Sequence, residues 1–315
     1  MTTRAFVFPG QGSQAVGMGK ELAAAFADAR EVFQEVDDAL SQKLSTLMFE
    51  GPEGDLTLTE NAQPAIMAVS AAVMRVLHKQ GGLDLAKAAK FVAGHSLGEY
   101  SALQAAGSLT LADTARLLKL RGQSMQKAVP VGMGAMAALL GLNFEQAIEV
   151  AKEAMQDQVC TAANDNADGQ VVVSGHAEAV DRAIAIAAAK GAKRAVKLPV
   201  SAPFHCPLMQ PAADAMRDAL AATTIKAPIV PLVANVTASA TSDPEAIRQQ
   251  LVEQVCGTVR WRESVMYMKA QGVTDLVECG AGKVLAGLVK RIEKDMGAVS
   301  IGSPADIDAF LKAGA

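Results

Sequence analysis

The chain is 315 residues long, half of them hydrophobic, with 29 Lys and Arg against 33 Asp and Glu and a formal net charge of −4. That length allows one large α/β domain with an insertion, or two domains, and an acidic balance without a long Lys/Arg block argues against nucleic acid as the main partner. No apolar run reaches the roughly 18 residues of a spanning helix, which excludes a helical membrane protein. The first residues also lack the features of a signal peptide, so a cytoplasmic location is expected. Four cysteines, Cys160, Cys206, Cys256 and Cys279, lie scattered without a C-x-x-C pair, and neither a disulfide framework nor a metal site is implied.

Taken in order, residues 4–8 read as a buried strand ending in the loop Pro9-Gly10-Gln11-Gly12-Ser13-Gln14, whose glycines leave backbone N–H groups free to be presented. The loop lacks the Gly-Lys-Ser/Thr ending of a phosphate loop. Helical spacing covers residues 20–40 and 63–80, with Asn61 to Pro64 placed to start the second helix. Then comes Phe91-Val92-Ala93-Gly94-His95-Ser96-Leu97-Gly98-Glu99-Tyr100, an apolar run entering a helix through Gly-x-Ser-x-Gly. Such a turn is sharp enough to need glycine on both sides, and it would expose Ser96 as a nucleophile at the start of a helix near Leu97. A plain turn between strand and helix is the alternative. Helices are predicted over 100–106 and 111–129, and Arg121 falls in the second, where an arginine is usually solvated.

Residues 130–134 break the pattern, and the next stretch reads strand 135–142, helix 144–156, strand 159–163, strand 170–174, helix 177–190 and strand 194–198. This β-α-β-β-α-β order predicts an inserted ferredoxin-like subdomain over 130–199, carried by a main domain formed from 1–129 and 200–315. Where the insertion returns, Pro199 to Pro207 stiffens a loop around His205, as a positioned base would need. A structural turn is the other reading. Cys206, next in sequence, gives no assurance that thiol and imidazole face each other. Strands at 229–234, 274–279 and 298–301 alternate with helices at 244–255, 259–271, 285–296 and 307–313. The expected fold is α/β, with a three-layer, mostly parallel sheet.

A serine, a later histidine and a glycine loop suit acyl transfer, but the order alone does not identify the enzyme. An α/β-hydrolase needs an acidic residue to orient its histidine, and the candidates Asp165 and Asp168 fall in a loop of the small module. Taken together, Phe8 to Gln14, Gly94 to Tyr100, Arg121-Gly122, Gly134 to Ala137, Pro203-Phe204-His205 and Glu278 to Leu285 make the chain resemble the malonyl-CoA:acyl carrier protein transacylase family over almost its whole length. One departure is Glu278-Cys279-Gly280-Ala281-Gly282, where that family often has Glu-Val/Ile-Gly-Pro-Gly.

The resemblance implies a ping-pong transfer of malonyl from coenzyme A through Ser96 to the phosphopantetheine thiol of acyl carrier protein, supplying fatty-acid synthesis. It implies His205 as base, a main-chain carbonyl at Gln254 orienting that histidine, and the N–H groups of Gln11 and Leu97 as oxyanion hole. Arg121 would hold the malonyl carboxylate, and Phe204 would bound the substrate pocket. No cofactor is expected beyond malonyl-CoA as substrate, no nucleic acid or membrane as partner, and a monomer. The acyltransferase subunit of malonate decarboxylase shares these motifs, and a serine hydrolase or thioesterase shares the elbow. Docking of an acidic carrier protein to an acidic chain needs a local basic patch. Lys190, Lys193, Arg194 and Lys197 form one candidate, with a solvated face as the alternative, and Lys290, Arg291 and Lys294 form another.

Overall fold

The computed structural model describes residues 2–200 and 202–314, so Ser201 of the histidine loop lies outside the described residues. In chain order the first part comprises β1 (Arg4–Phe8), α1 (Lys20–Ala25), α2 (Ala27–Leu40), α3 (Leu44–Glu50), α4 (Glu53–Thr57), α5 (Thr59–Lys79), α6 (Leu85–Ala88), β2 (Ala89–Gly94), α7 (Gly98–Ala105) and α8 (Leu111–Ala128). The middle part comprises β3 (Gly134–Leu140), α9 (Phe144–Met155), β4 (Cys160–Ala167), β5 (Gln170–His176), α10 (Ala177–Ala189) and β6 (Arg194–Lys197). The last comprises α11 (Gln210–Ala221), β7 (Leu232–Val233), β8 (Ala240–Thr241), α12 (Pro244–Cys256), α13 (Trp261–Ala270), β9 (Asp275–Cys279), α14 (Val284–Ile292), β10 (Gly297–Ile301) and α15 (Pro304–Lys312). No helix among the described residues is long and apolar enough to cross a membrane.

The larger sheet runs β10-β9-β1-β2-β7-β8 and is parallel except for β8, which turns back on β7. Its strands are apolar on both sides because both faces are covered. Along β1, Phe6 and Phe8 enter the core that contains α5 and α8, while Ala5 and Val7 enter the one that contains Trp261, Val265 and Leu288. The parallel register aligns Phe8 with Gly94 and Val7 with Glu278. Parallel strands in that register end at one edge, so the Pro9 loop, the Ser96 turn and the Gly280 loop all leave the sheet together. The smaller sheet is antiparallel in the order β4-β5-β3-β6, the ferredoxin-like arrangement, and α9 and α10 cover one face through Val150, Ala151, Val180 and Ala183. It is fastened to the larger part by main-chain bonds from Val259 N to Ala163 O and from Asp165 N to Val259 O, each 2.9 Å long. The mixed α/β class and mostly parallel sheet agree with expectation.

Several details differ from the sequence reading. The helix expected over 20–40 is two helices, because Phe26 is extended at φ −127° and ψ 124° and serves both as the end of α1 and the start of α2. The helix α5 starts at Thr59, ahead of the expected Gln63, and holds Pro64 inside it. The expected strand over 229–234 shrinks to two residues, and α3, α4, α11 and β8 were not predicted. The expected strand over 159–163 runs on to Ala167, which puts Asp165 in a strand rather than a loop.

Glycine is required at the turn for a reason of distance. A Cβ on Gly94 would lie 1.9 Å from the carbonyl carbon of Gly98, and one on Gly98 would lie 2.2 Å from the Phe8 oxygen. Both neighbours are backbone and cannot yield. Gly287 is the opposite case, an exposed glycine inside α14 where an added Cβ would meet nothing within 4 Å. In urea unfolding, Gly94→Ala is expected to lose about 4 kcal/mol or more, whereas Gly287→Ala should gain roughly 0.5–1 kcal/mol from the better helix former. Equal effects at the two sites would contradict the packing at the turn.

Candidate active site

Ser96 sits between the end of β2 and the first turn of α7 with φ at +53°, a left-handed backbone that a serine adopts only under constraint. The constraint comes from Asn235, just beyond β7 and wholly buried. Its side-chain oxygen accepts from Ser96 N at 2.8 Å, and its Nδ2 donates to Gly94 O at 2.7 Å. The nucleophile's own amide is thereby occupied. No described residue accepts from the amides of Gln11 or Leu97, which leaves both free for an incoming oxygen. Leu97 is the residue from which α7 begins, so its N–H is one of the helix's unpaired donors.

His205 also has a left-handed backbone, at φ +57°. Its Nδ1 lies 2.8 Å from the Gln254 main-chain oxygen and its Nε2 lies 2.7 Å from Ser96 Oγ. A carbonyl only accepts, so Nδ1 carries the proton and Nε2 presents its lone pair to the serine hydroxyl. Burial, with the Arg121 charge adding to it, pulls the imidazole down to about 3. The ring is therefore neutral and able to take the serine proton throughout the neutral range. Asp165 plays no part in orienting this histidine. It is buried and paired with Arg262 of α13, whose Nε lies 2.9 and 3.0 Å from its two oxygens. Cys206, beside the histidine, is buried, and its thiol is pushed up by burial and donates to Pro203 O. A thiol held protonated and turned to a carbonyl is a poor nucleophile.

Arg121 is 1% exposed, not the solvated helix residue that statistics favour. Gly122 lets this happen: a Cβ there would lie 2.6 Å from Thr59 O, so α8 presses directly on the first turn of α5 and carries Arg121 inward. The guanidinium donates to Gln63 Oε1 at 2.7 Å, to Gln254 Oε1 at 2.9 Å and to Ser96 Oγ at 3.2 Å. Tyr100 faces it, 5.8 Å from ring centre to guanidinium carbon. All three acceptors are neutral, and among the described residues no carboxylate lies within ion-pair reach. A buried cation with neutral partners alone is costly, and an arriving carboxylate meets it with two parallel hydrogen bonds.

Glu99 lies behind this arrangement, wholly buried, and desolvation raises its carboxyl to about 7. Its Oε2 accepts from Asn235 N at 3.1 Å and from Gln254 Nε2 at 2.8 Å. In front lies a cavity of about 610 Å³ that touches Ser96, His205, Arg121, Gln11 and Phe204; apolar side chains such as Met125 and Val200 share its wall with polar ones such as Gln63, Asn164 and Asn166. The structure thus brings together Ser96, His205, Gln254, Arg121, Gln11 and Phe204, with Leu97 adjoining. Sequence reasoning missed Asn235, Gln63 and Thr59, and it read Glu99 only as part of the serine motif. A lone Asn after a strand reads as a turn residue, and a Gln or Thr at a helix start reads as a cap or a solvated side chain, so no signal marked them.

The state of His205 has a measurable consequence. Formation of the acyl-enzyme, followed by rapid quench against pH, should keep its rate as pH falls through about 6.5, where an ordinary histidine gains its proton. An acid limb centred there would mean an imidazole open to water. Stability has the matching sign: the unfolded chain binds this proton below about 6.5 and the folded chain does not, so the residue costs stability as pH falls from there towards 3.

Residues 5–301 match the acyl transferase domain family. The malonyl CoA-acyl carrier protein transacylase of Escherichia coli K12 is 48% identical over 312 residues, which is 99% of this chain and 100% of that protein. The crystal structure of an acyl-carrier-protein-S-malonyltransferase from Bartonella henselae, 57% identical, superposes with a TM-score of 0.97 over 99% of each chain. A malonyl-transacylase seen in complex with its type II PKS acyl-carrier protein is 43% identical and superposes with a TM-score of 0.96 over 99% of this chain and 100% of that one. Matched end to end in sequence and in fold, the chain belongs to the acyl transferases, and among them to the malonyl CoA-acyl carrier protein transacylase family.

Proposed function

We propose that the protein moves malonyl from malonyl-CoA to the phosphopantetheine thiol of acyl carrier protein in two half-reactions through a malonyl ester on Ser96. The observation that carries this reading is a buried guanidinium 3.2 Å from a serine hydroxyl that is itself 2.7 Å from a neutral imidazole. In the first half-reaction His205 Nε2 takes the Ser96 proton while Oγ attacks the thioester carbonyl. The oxygen that gains charge turns to the Gln11 and Leu97 amides, and coenzyme A leaves as its sulfur recovers the proton from His205. In the second, His205 takes the proton of the carrier's thiol, the sulfur attacks the ester, and Ser96 departs with that proton. Arg121 pairs with the free malonyl carboxylate in both. A single chain supplies every group these steps need, so the reading calls on no second subunit, metal or cofactor. Phe204, buried and on the cavity wall, limits what can branch from the malonyl carbon.

Malonyl-CoA should add one malonyl mass to the intact protein, and Ser96→Ala should abolish the adduct. An adduct that survives on the alanine variant would remove Ser96 from the role. His205→Ala should slow acylation by roughly a hundred- to ten-thousand-fold.

For the carrier protein, the two basic clusters differ in how much charge they leave unpaired. Lys190 is bound to Glu153 and Lys197 to Asp181, each at 2.8 Å, so half of the first cluster is locally offset. In the second, Arg291 donates, among the described residues, only to the neutral Gln170 Oε1. On charge, docking favours Lys290, Arg291 and Lys294. Reversing Lys290 and Lys294 to Glu should weaken transfer to the carrier, most at low salt, and change acylation by malonyl-CoA much less. The same reversal at Lys190 and Arg194 should do less. The opposite ranking would move the docking surface to the small sheet.

A further inference from the structure

Resting on the reading of Arg121 as the seat of the substrate's carboxylate, we propose that Thr59 is a positioning residue that couples this seat to Gln11, the residue assigned to the oxyanion. The observation is a continuous chain of hydrogen bonds. Arg121 donates to Gln63 Oε1 at 2.7 Å, Gln63 Nε2 donates to Thr59 Oγ1 at 2.9 Å, and the Thr59 hydroxyl donates to Gln11 Oε1 at 2.9 Å. Both middle residues are 1% exposed, so water does not compete for the two bonds that Gln63 makes, while Gln11 at the end of the chain is partly exposed on the cavity wall.

The chain can run in only one direction. A guanidinium has donors and no acceptor, so Gln63 must turn its carbonyl to Arg121 and its NH2 to Thr59. The lone pair of Thr59 that faces Gln63 is then used, and its single proton is left for Gln11. Thr59 and Gln63 stand four apart in α5, the spacing that puts two side chains on one face. The close approach of α8 at Gly122 brings Arg121 to the same face. Hydrogen bonds aligned head to tail polarise one another. The guanidinium and the Gln11 loop are therefore held as one unit, and a diacid seated on Arg121 finds the amide of Gln11 already in register with its thioester carbonyl. A substrate with no carboxylate gains nothing from the coupling, so part of the preference for malonyl over acetyl belongs to the chain rather than to Arg121 alone.

Thr59→Val keeps the branched shape and removes the hydroxyl. Single-turnover acylation with malonyl-CoA and with acetyl-CoA should show a fall of roughly ten- to a hundredfold for malonyl, less than the loss of an oxyanion donor itself. The fall should lie mainly in kcat, and acetyl should lose less, so the malonyl-to-acetyl ratio drops. Thr59→Ser should restore the ratio. Should Thr59→Val fail to fold, Gln63→Met breaks the next link at similar volume and should lower the ratio in the same way. In an Arg121→Ala background, Thr59→Val should lose less malonyl transfer than in the parent. Equal losses for both substrates, or losses that simply multiply with Arg121→Ala, would overturn the coupling. Arg121→Ala that keeps the malonyl preference would instead overturn the carboxylate seat itself, whereas loss of preference there with none in Thr59→Val or Gln63→Met would overturn only the role of Thr59.

Discussion

Gln254 is the point on which the site depends, because one residue fixes the three groups that must meet. Its main-chain oxygen holds His205 Nδ1 at 2.8 Å, its Oε1 receives Arg121 at 2.9 Å, and its Nε2 donates to Ser96 O at 3.0 Å. The orientation of its side-chain amide is not free. Glu99 Oε2 lies 2.8 Å from Nε2 and can only accept from it when ionised, and Arg121 can only donate. The Ser96 carbonyl on one side, which only accepts, and a guanidinium on the other, which only donates, thus leave one orientation of the amide that satisfies both. Because Gln254 is buried, a flipped amide would face donor with donor and acceptor with acceptor, away from water that could relieve either.

What the sequence made legible follows from how far apart in the chain the interacting groups lie. Gly94, Ser96 and Gly98 act within five residues, and the distances that demand those glycines arise in the turn itself and against the strand beside it, so their spacing carries the information. His205 was marked by the prolines around it. Arg121 was visible only through resemblance, since its burial depends on a glycine in α8 meeting backbone in α5, a contact between residues over sixty positions apart. Asn235, which stabilises the strained turn, is 139 positions from Ser96. Nothing local distinguishes it from an asparagine that ends a strand. The same reason explains the fold details that were missed: α11 has alanines where larger apolar residues would reveal a stripe, and β7 is two residues long because its place in the sheet is set by β2 rather than by its own pattern.

The small sheet is a wall of the cavity and is held in place from outside itself. Four contacts from β4 to the start of α13 and the residues before it do this: the two main-chain bonds at Val259, the Thr258 hydroxyl on Ala162 O at 2.7 Å and the Asp165–Arg262 pair, in which the acid is fully buried. Desolvation raises the Asp165 carboxyl and the arginine opposes it, the balance expected of a pair that fixes geometry more than it adds stability. From the neighbouring residue of the same strand, Asn166 Oδ1 reaches His95 at 2.8 Å, in the serine turn. The strand that anchors the wall therefore also touches the nucleophile's loop, and the cavity is formed before substrate arrives.

A carbonyl in place of a carboxylate behind the histidine has a consequence for selectivity. An aspartate there would lie near Arg121 and compete with the substrate's own carboxylate for the same guanidinium. On the proposed reading a neutral acceptor behind the histidine reserves that charge for the substrate, but it also exposes the imidazole to it, and Arg121 contributes to holding His205 in its neutral form. A base that resists protonation is a weak one. On the proposed reading the malonyl carboxylate removes this handicap, since a paired guanidinium no longer repels an imidazolium. A diacid therefore strengthens the base that acts on it, while an acetyl thioester leaves the Arg121 charge uncompensated as the proton moves to His205. On the same reading discrimination arises in the proton transfer as well as in binding, and both follow from one buried cation that has no ion pair among the described residues.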